Sequence, residues 1–462
     1  MVEFQRSERI RLAILILNRQ YIRSWIDSGL LRALSDSREF EIELFVPQEI
    51  YTQIEPCEDF VLSVIPKITP SSAATHLIAL NWVAKRSRSK SFGFALKRTF
   101  LSEYLFSQPQ LDRREWVRHV VRCIKIILFS SWKKRLTIFY FFSPFRKIEH
   151  VLKRRLSRKS LLPASISQGE FNWLIIPCHG IDELMTDYIA SAKLERLKVM
   201  VAIDNWDNLT SKSVFAIQPD CITVMGVKCI KHAFEIHEMA PSKVLAFGLP
   251  RFDVYRELKQ GFPANLSSRR SKPRVLYAGL SVPHGERTVV HLLAEKLYEK
   301  YGVDGIEIEY RPHPISFSRL DGDLAINPHV KISDHLSLDR TMMPNMDNEY
   351  INALVDSTVV IGAPTTFILE AMLLGRPCIL DNTNDGMHRT TAGLAMNNYT
   401  HLQDLKEITG LKLADSVEEM YDNVVWIVDS KIESFNYEMS HLYSLDDPPY
   451  KLQLTEYLVS HS

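Results

Sequence analysis

Arg311 and His313 stand two residues apart in Glu309-Tyr-Arg-Pro-His-Pro314, just past the end of a predicted strand. The two prolines restrict the backbone around the imidazole. A guanidinium and an imidazole held side by side suit a phosphate or pyrophosphate. Further along, Ile361-Gly-Ala-Pro-Thr-Thr-Phe-Ile-Leu-Glu370 joins an apolar run to a helix start. Thr365 or Thr366 can cap that helix, whose unpaired N–H groups and dipole favour an anion. Gly362 and Ala363 leave room for close approach of a ligand. Glu370, about one turn deeper, can accept hydrogen bonds from vicinal ribose hydroxyls. An ordinary capped β-α-β unit has the same pattern, and that alternative stays open beside the functional one.

The N-terminal half offers a second set. Asp204, Asn205, Asp207 and Asn208 crowd around Trp206 after the apolar run Val199–Ile203. Either Asp204 or Asp207 can take a proton from an acceptor hydroxyl, with the indole as a face for a sugar ring. Asp and Asn also favour turns and caps. His179, in Pro177-Cys-His-Gly180, is an alternative base, and Asp182 follows it. Gly279 and His284 belong to Gly279-Leu-Ser-Val-Pro-His-Gly285, a loop placed to touch phosphates through backbone N–H groups. It is neither a GxxxxGK[ST] phosphate loop nor a GxGxxG fingerprint. Asp385, His388 and Arg389, in the loop Asp381–Arg389, could face a transferred group. No metal motif stands out, so chemistry without a metal is expected.

These residues need strands that end and helices that begin beside them. Arg11–Leu17 is a short continuous apolar run, Glu41–Val46 is strand-like, and the same rhythm returns at Trp173–Pro177, Val199–Ile203 and Cys221–Met225, with helical spacing over Ile22–Leu34. Continuous rather than alternating apolar strands predict a parallel sheet covered on both faces. Polar, breaker-rich Gln260–Pro273 predicts a linker. The rhythm then restarts, with strands at Arg274–Ala278, Ile306–Tyr310, Val359–Ile361 and Cys378–Leu380, and helices at Thr288–Tyr301 and Phe367–Leu374. The expectation is an α/β chain of two Rossmann-like doubly wound domains facing across a cleft. Residues 1–260 would form an acceptor domain and residues 270–462 a nucleotide-donor domain. Helices after Ser416 could return to the first domain.

At 462 residues, 46% hydrophobic and 24% charged, the chain is globular and long enough for two or three domains. Its formal charge of +1 conceals polarity. Arg113–Lys159 holds fifteen Lys/Arg against Glu115 and Glu149, a net of +13 that leaves −12 for the rest. Aromatic residues such as Trp116, Trp132 and Phe139–Phe142 are interleaved with the charges. Such a segment suits an anionic membrane surface, nucleic acid, or amphipathic helices packed on the domain with a solvated face. The nucleic-acid partner is the least expected. The six cysteines form no CxxC pair, which fits a reducing compartment. With no signal-peptide core and no apolar stretch of about 20 residues, a cytoplasmic location is expected, peripheral on the inner face of the membrane if the basic segment binds lipid.

The strand-Thr-Thr-helix-Glu-Ala-…-Gly-Arg-Pro segment resembles the donor-site signature of GT-B glycosyltransferases and of sugar-nucleotide 2-epimerases. Arg311-Pro-His-Pro314 resembles the His-Pro element of bacterial capsule and sialic-acid or Kdo transferases, and of CDP-glycerol glycerophosphotransferases. Lys243–Asp253 is similar to the G-x-P-R-x-D stretch that ends the N-terminal domain in these families. The likeness covers about Trp173 to Asp381, and the basic aromatic segment departs from it. It implies that Arg311 and His313 bind donor phosphate, that Thr365 and Thr366 add contacts to it, and that Glu370 holds the ribose. The implied activity is transfer of a sugar or polyol-phosphate from a CMP-, CDP- or UDP-linked donor to a saccharide or lipid-linked acceptor, with no cofactor. A 2-epimerase and a non-catalytic binding protein on the same fold are the alternatives.

Overall fold

The computed structural model describes residues 9–85, 88–92, 94, 144–156, 158–178, 183–261, 272–279, 285–313, 326–333, 346–384 and 391–462. Most of the basic segment, 113–143, lies outside these residues.

Among the described residues the chain divides into two compact units, one running to Val254 apart from Phe94 and regaining Ser440–Ser462, the other holding Phe94 and Tyr255–Met439. Each is built on one parallel sheet. The first holds β1 (Ile10–Leu15), β2 (Phe40–Pro47), β3 (Val61–Ile65), β4 (Trp173–Cys178), β5 (Lys198–Ile203), β6 (Cys221–Thr223) and β7 (Val244–Leu245), in the order β3-β2-β1-β4-β5-β6-β7. The second holds β8 (Arg274–Ala278), β9 (Glu307–Arg311), β10 (Lys331–Ile332), β11 (Val359–Gly362), β12 (Cys378–Asp381) and β13 (Lys412–Ala414), in the order β10-β9-β8-β11-β12-β13. The apolar runs become strands because both faces are covered. β4, β11 and β12 are buried along their whole length. β3 is interrupted by Ser63 and only its last residue is buried, and β13 is three residues long, so neither has a continuous apolar signature.

In both sheets the strand order reverses once, between β1 and β4 and between β8 and β11. At such a point the flanking crossovers leave to opposite sides, and a crevice opens at the carboxyl ends of the strands.

The opening helix differs from its expectation. Instead of one helix over Ile22–Leu34 there is a short helical turn, a wide π-type turn at Arg23–Asp27, and a helix at Leu30–Asp36. Gly29 separates the last two at φ +75°, a left-handed conformation that glycine adopts at little cost. The region expected to be a linker begins as a helix, Asp253–Gly261, and residues 262–271 lie outside those described.

The last helix, Tyr450–His461, packs in the first unit. Tyr450, Leu454 and Leu458 join the core formed by Leu12, Ile14, Trp25 and Leu44. Asp253 accepts hydrogen bonds from the backbone N–H of Tyr450 at 2.9 Å and of Lys451 at 3.2 Å. It thus satisfies the helix start, where Pro449 has no side-chain acceptor to offer. The other helix beyond Ser416, Val417–Asp429, stays in the second unit, where Met420, Val424 and Ile427 join the core.

Candidate functional site

The second sheet brings several predicted residues to one edge. Ala278, the end of β8, pairs in register with Arg311 of β9 and with Gly362 of β11. Gly279, Arg311 and Gly362 therefore sit at the carboxyl ends of three adjacent strands, at the reversal point of the sheet. The Gly279 N–H donates to the Arg311 carbonyl at 2.8 Å, which ties the loop after β8 to the end of β9. The Arg311 side chain is buried, and His313 is half-buried two residues beyond.

β11 leads through Ala363-Pro-Thr-Thr366 into the helix Thr366–Leu373. Thr365 occupies the cap position with extended backbone, φ −135° and ψ 170°, and its side chain makes no capping hydrogen bond. Both threonine side chains are half-buried. The first-turn N–H groups of a helix have no intrahelical acceptor, so this end attracts an anion. The far end closes in a Schellman motif. Gly375, at φ +69°, donates to Met372 O, and Arg376 N donates to Ala371 O. That closure sets where the helix ends. Gly362 does not open space for a ligand: a Cβ there would meet Ala278 O and Ile368 Cδ1, each at 3.3 Å, so its glycine serves sheet packing.

Three buried carboxylates underlie this edge, each engaged by a tyrosine hydroxyl. Glu370 is 2% exposed and accepts from Tyr255 Oη at 2.9 Å. Glu286 begins the helix Glu286–Tyr301 and accepts from Tyr310 Oη at 2.6 Å. Asp381, at the end of β12, accepts from Tyr277 Oη and from the Thr383 N–H. Burial, then the charges of Asp381 and Glu286, push the Tyr277 hydroxyl well above its usual range. Burial and Glu286 do the same to Tyr310. Both phenols are therefore fixed hydrogen-bond donors at neutral pH. Gly279 has a specific reason to lack a side chain, because a Cβ would lie 2.8 Å from Glu286 Oε1. Neighbouring Glu309 faces away from this network. Burial alone would raise its pKa, but hydrogen bonds from Ser333 and Arg274 hold it below the usual carboxylate value.

Sequence reasoning found Arg311, His313, the threonines and Glu370, and it missed Tyr255, Tyr277, Tyr310, Glu286 and Asp381. Tyr277 and Tyr310 are register partners on adjacent strands, a relation visible only once the strands are paired. His284 and the trio Asp385, His388 and Arg389 lie outside the described residues.

In the first unit, Asp204 follows β5 and its N–H donates to Cys178 O at the end of β4. Its carboxylate is 7% exposed and accepts from Ser24 Oγ at 2.8 Å and from Arg251 Nη1 at 3.3 Å. Arg251 also donates to the Asp204 carbonyl and to Asn205 Oδ1. Asp207 is half-buried and pairs with Lys212 at 2.8 Å. Trp206 is 4% exposed, so it is a core residue and offers no open face to a sugar. Asn208 is fully buried and donates from Nδ2 to Cys178 O, bracing the two strand ends. His179 and Asp182 lie outside the described residues. Among the described residues, no group of three or more His, Cys, Asp or Glu could hold a metal ion.

No protein-family model matches the chain, and no curated protein matches it. Solved structures do. A protein of Listeria monocytogenes assigned as a UDP-N-acetylglucosamine 2-epimerase aligns at a TM-score of 0.53 and 10% identity, over 98% of this chain and 96% of that one. The UDP-GlcNAc 2-epimerase of Methanocaldococcus jannaschii aligns at 0.51 and 10% identity, over 98% of this chain and 100% of that one. At that identity the likeness is one of fold, and it extends along both units: this chain has the two-unit Rossmann-like architecture of the GT-B type.

Proposed function

We propose that the chain is an enzyme acting on a nucleotide-activated donor, a GT-B-type transferase that moves a sugar or polyol-phosphate to a saccharide or lipid-linked acceptor. The observation that carries this reading is the convergence, at the reversal point of the second sheet, of Gly279, Arg311 and the open end of the Thr366–Leu373 helix, with Glu370 buried one turn behind. A diphosphate presents charge where such a helix end and a guanidinium supply donors. Arg311 and His313 would stabilise the leaving phosphate, with Thr365, Thr366 and the Gly279 loop adding contacts. Glu370, oriented by Tyr255, would accept from the ribose hydroxyls.

His179 or Asp207 would take the acceptor proton. Asp204, whose carboxylate is held by Ser24 and Arg251, fits a positioning role for that loop. Displacement at the activated carbon or phosphorus then expels the nucleotide phosphate, whose negative charge the Arg311 cluster receives.

A thermal-shift panel of CMP, CDP, UDP and GDP tests the donor assignment. One nucleotide should raise the melting temperature, and His313→Ala should weaken that shift and cut turnover by about 10²-fold, the scale of losing one charge-stabilising group. No shift with any of the four, or full activity in the variant, rejects the assignment. Product analysis with a nucleotide sugar alone separates the epimerase alternative, which would convert it without an acceptor.

A further inference from the structure

Away from these residues, and wholly within the first unit, a pocket of about 450 Å³ has a lysine at its floor. None of the residues assigned above lines it. Lys85 ends the helix Ser72–Lys85 and is 4% exposed. Its Nζ lies 2.9 Å from His237 Nδ1 and 3.4 Å from Phe215 O. His237 Nε2 is 2.6 Å from Leu209 O. A carbonyl only accepts, so the histidine proton sits on Nε2 and Nδ1 accepts from Lys85. An ammonium has three donors. Two are used here, and the third has no partner among the described residues.

Three further cationic side chains, with two glutamates, line the pocket. Arg88 pairs with Glu238 at 2.5 Å, and Lys153 pairs with Glu149 at 2.7 Å. Arg146 lines the same pocket, is exposed, and has no partner among the described residues. Four cationic side chains thus meet two carboxylates, both already engaged. Burial first, then Arg88 and Lys153, against the weaker pull of Glu238 and Glu149, bring the Lys85 ammonium down to about 7. His237 is held well below its usual value by burial and Lys85, and so is neutral. Burying a lysine in place of an apolar side chain is costly unless something compensates its charge. Among the described residues no carboxylate pairs with Lys85, whose Nζ meets only the neutral His237 ring and the Phe215 carbonyl.

We propose that this pocket is a binding site for a small phosphate-bearing anion, gripped by Lys85 at the floor and by Arg146, Lys153 and Arg88 at the wall. Its volume falls in the range of small-molecule sites, about 300–1,000 Å³, which exceeds a bare phosphate, and Phe215 and Ala216 give it an apolar side. A small phosphate ester fits both features.

Calorimetry on the full chain with inorganic phosphate and with phenyl phosphate tests this. One equivalent should bind, and the double variant Arg146→Gln/Lys153→Gln, altered only at exposed or half-exposed positions, should lose at least about 10-fold in affinity, since each charge-assisted contact is worth more than a neutral one. The melting temperature without ligand should not change. One pH unit above the Lys85 value of about 7, binding should take up a proton as the neutral amine recharges, measured by comparing buffers of different ionisation enthalpy. Lys85→Met should abolish that uptake. Tighter binding of phenyl phosphate assigns the site to an ester and equal binding to free phosphate, and both support it. Absence of binding, unchanged affinity in the double variant, or loss of binding in His313→Ala overturns it, the last by moving the anion to the donor residues.

Discussion

Asp204 and Asp207 share one loop, yet different partners hold them. Asp204 meets Ser24 and Arg251 in a buried setting, and Asp207 meets Lys212 nearer the surface. Removing Arg251 would leave the Asp204 charge buried with only a hydroxyl and the loop around it. Arg251→Ala should therefore cost about 3–5 kcal/mol, the scale of breaking a buried pair from one side. Urea unfolding measures it, and a loss below about 1 kcal/mol would show that Arg251 does not secure the loop. The residue types at these positions announced chemistry in the sequence, but their pairing did not. Asp and Asn after a strand suit a base, a cap and a clamp alike. The choice rests on Ser24 and Arg251, which lie 180 and 47 residues away.

At the scale of elements, the helix Pro144–Leu156 shows how part of the basic segment is used. Leu152 and Leu156 are buried against Ala73, Ala74 and Leu77 of the helix Ser72–Lys85, whereas Ile148 and Val151 are 47% and 49% exposed. This stretch therefore packs on the first unit through one face and leaves a charged face in solvent, one of the three uses open to it from sequence. Leu152→Ala should destabilise by about 2–5 kcal/mol through the cavity it leaves. Ile148→Ala and Val151→Ala should stay within about 0.5 kcal/mol. Equal losses at the buried and exposed positions in denaturant titrations would contradict this packing. Its four-residue apolar spacing was legible in the sequence, but the surface that receives it was not. The helix Ser72–Lys85 has too little polar contrast between its faces to mark a packing stripe.

At the scale of the whole molecule, the chain leaves its first unit at Val254 and comes back to it at Ser440. The return depends on Asp253, placed where the chain leaves, capping the helix Tyr450–His461 that completes the first core. Thr223 Oγ1 and Tyr450 Oη add a buried hydrogen bond at 2.9 Å. Asp253→Ala should cost about 1–2 kcal/mol, as a lost cap does, and Leu454→Ala about 2–5 kcal/mol. Both losses should appear in the unfolding of the first unit. A loss confined to the second unit's transition would refute the assignment of this helix to the first core. Among the described residues, no helix is long and apolar enough to cross a membrane.

The sequence by itself determined the strands at the centres of both sheets, because burial on both faces demands an unbroken apolar run that can be seen within a few residues. It also determined the helix start at Thr365–Thr366, where strand, breaker and capping residues are contiguous. Only the tertiary structure decided what the polar residues do. Tyr255 reaches Glu370 across 115 residues, and Tyr277 reaches Asp381 across 104. A buried carboxylate must find a donor, but nothing local states which donor will be near. The same holds for Lys85, an unremarkable helix-terminal lysine in the sequence that folding sets beside His237, 152 residues away, at the floor of a cationic pocket.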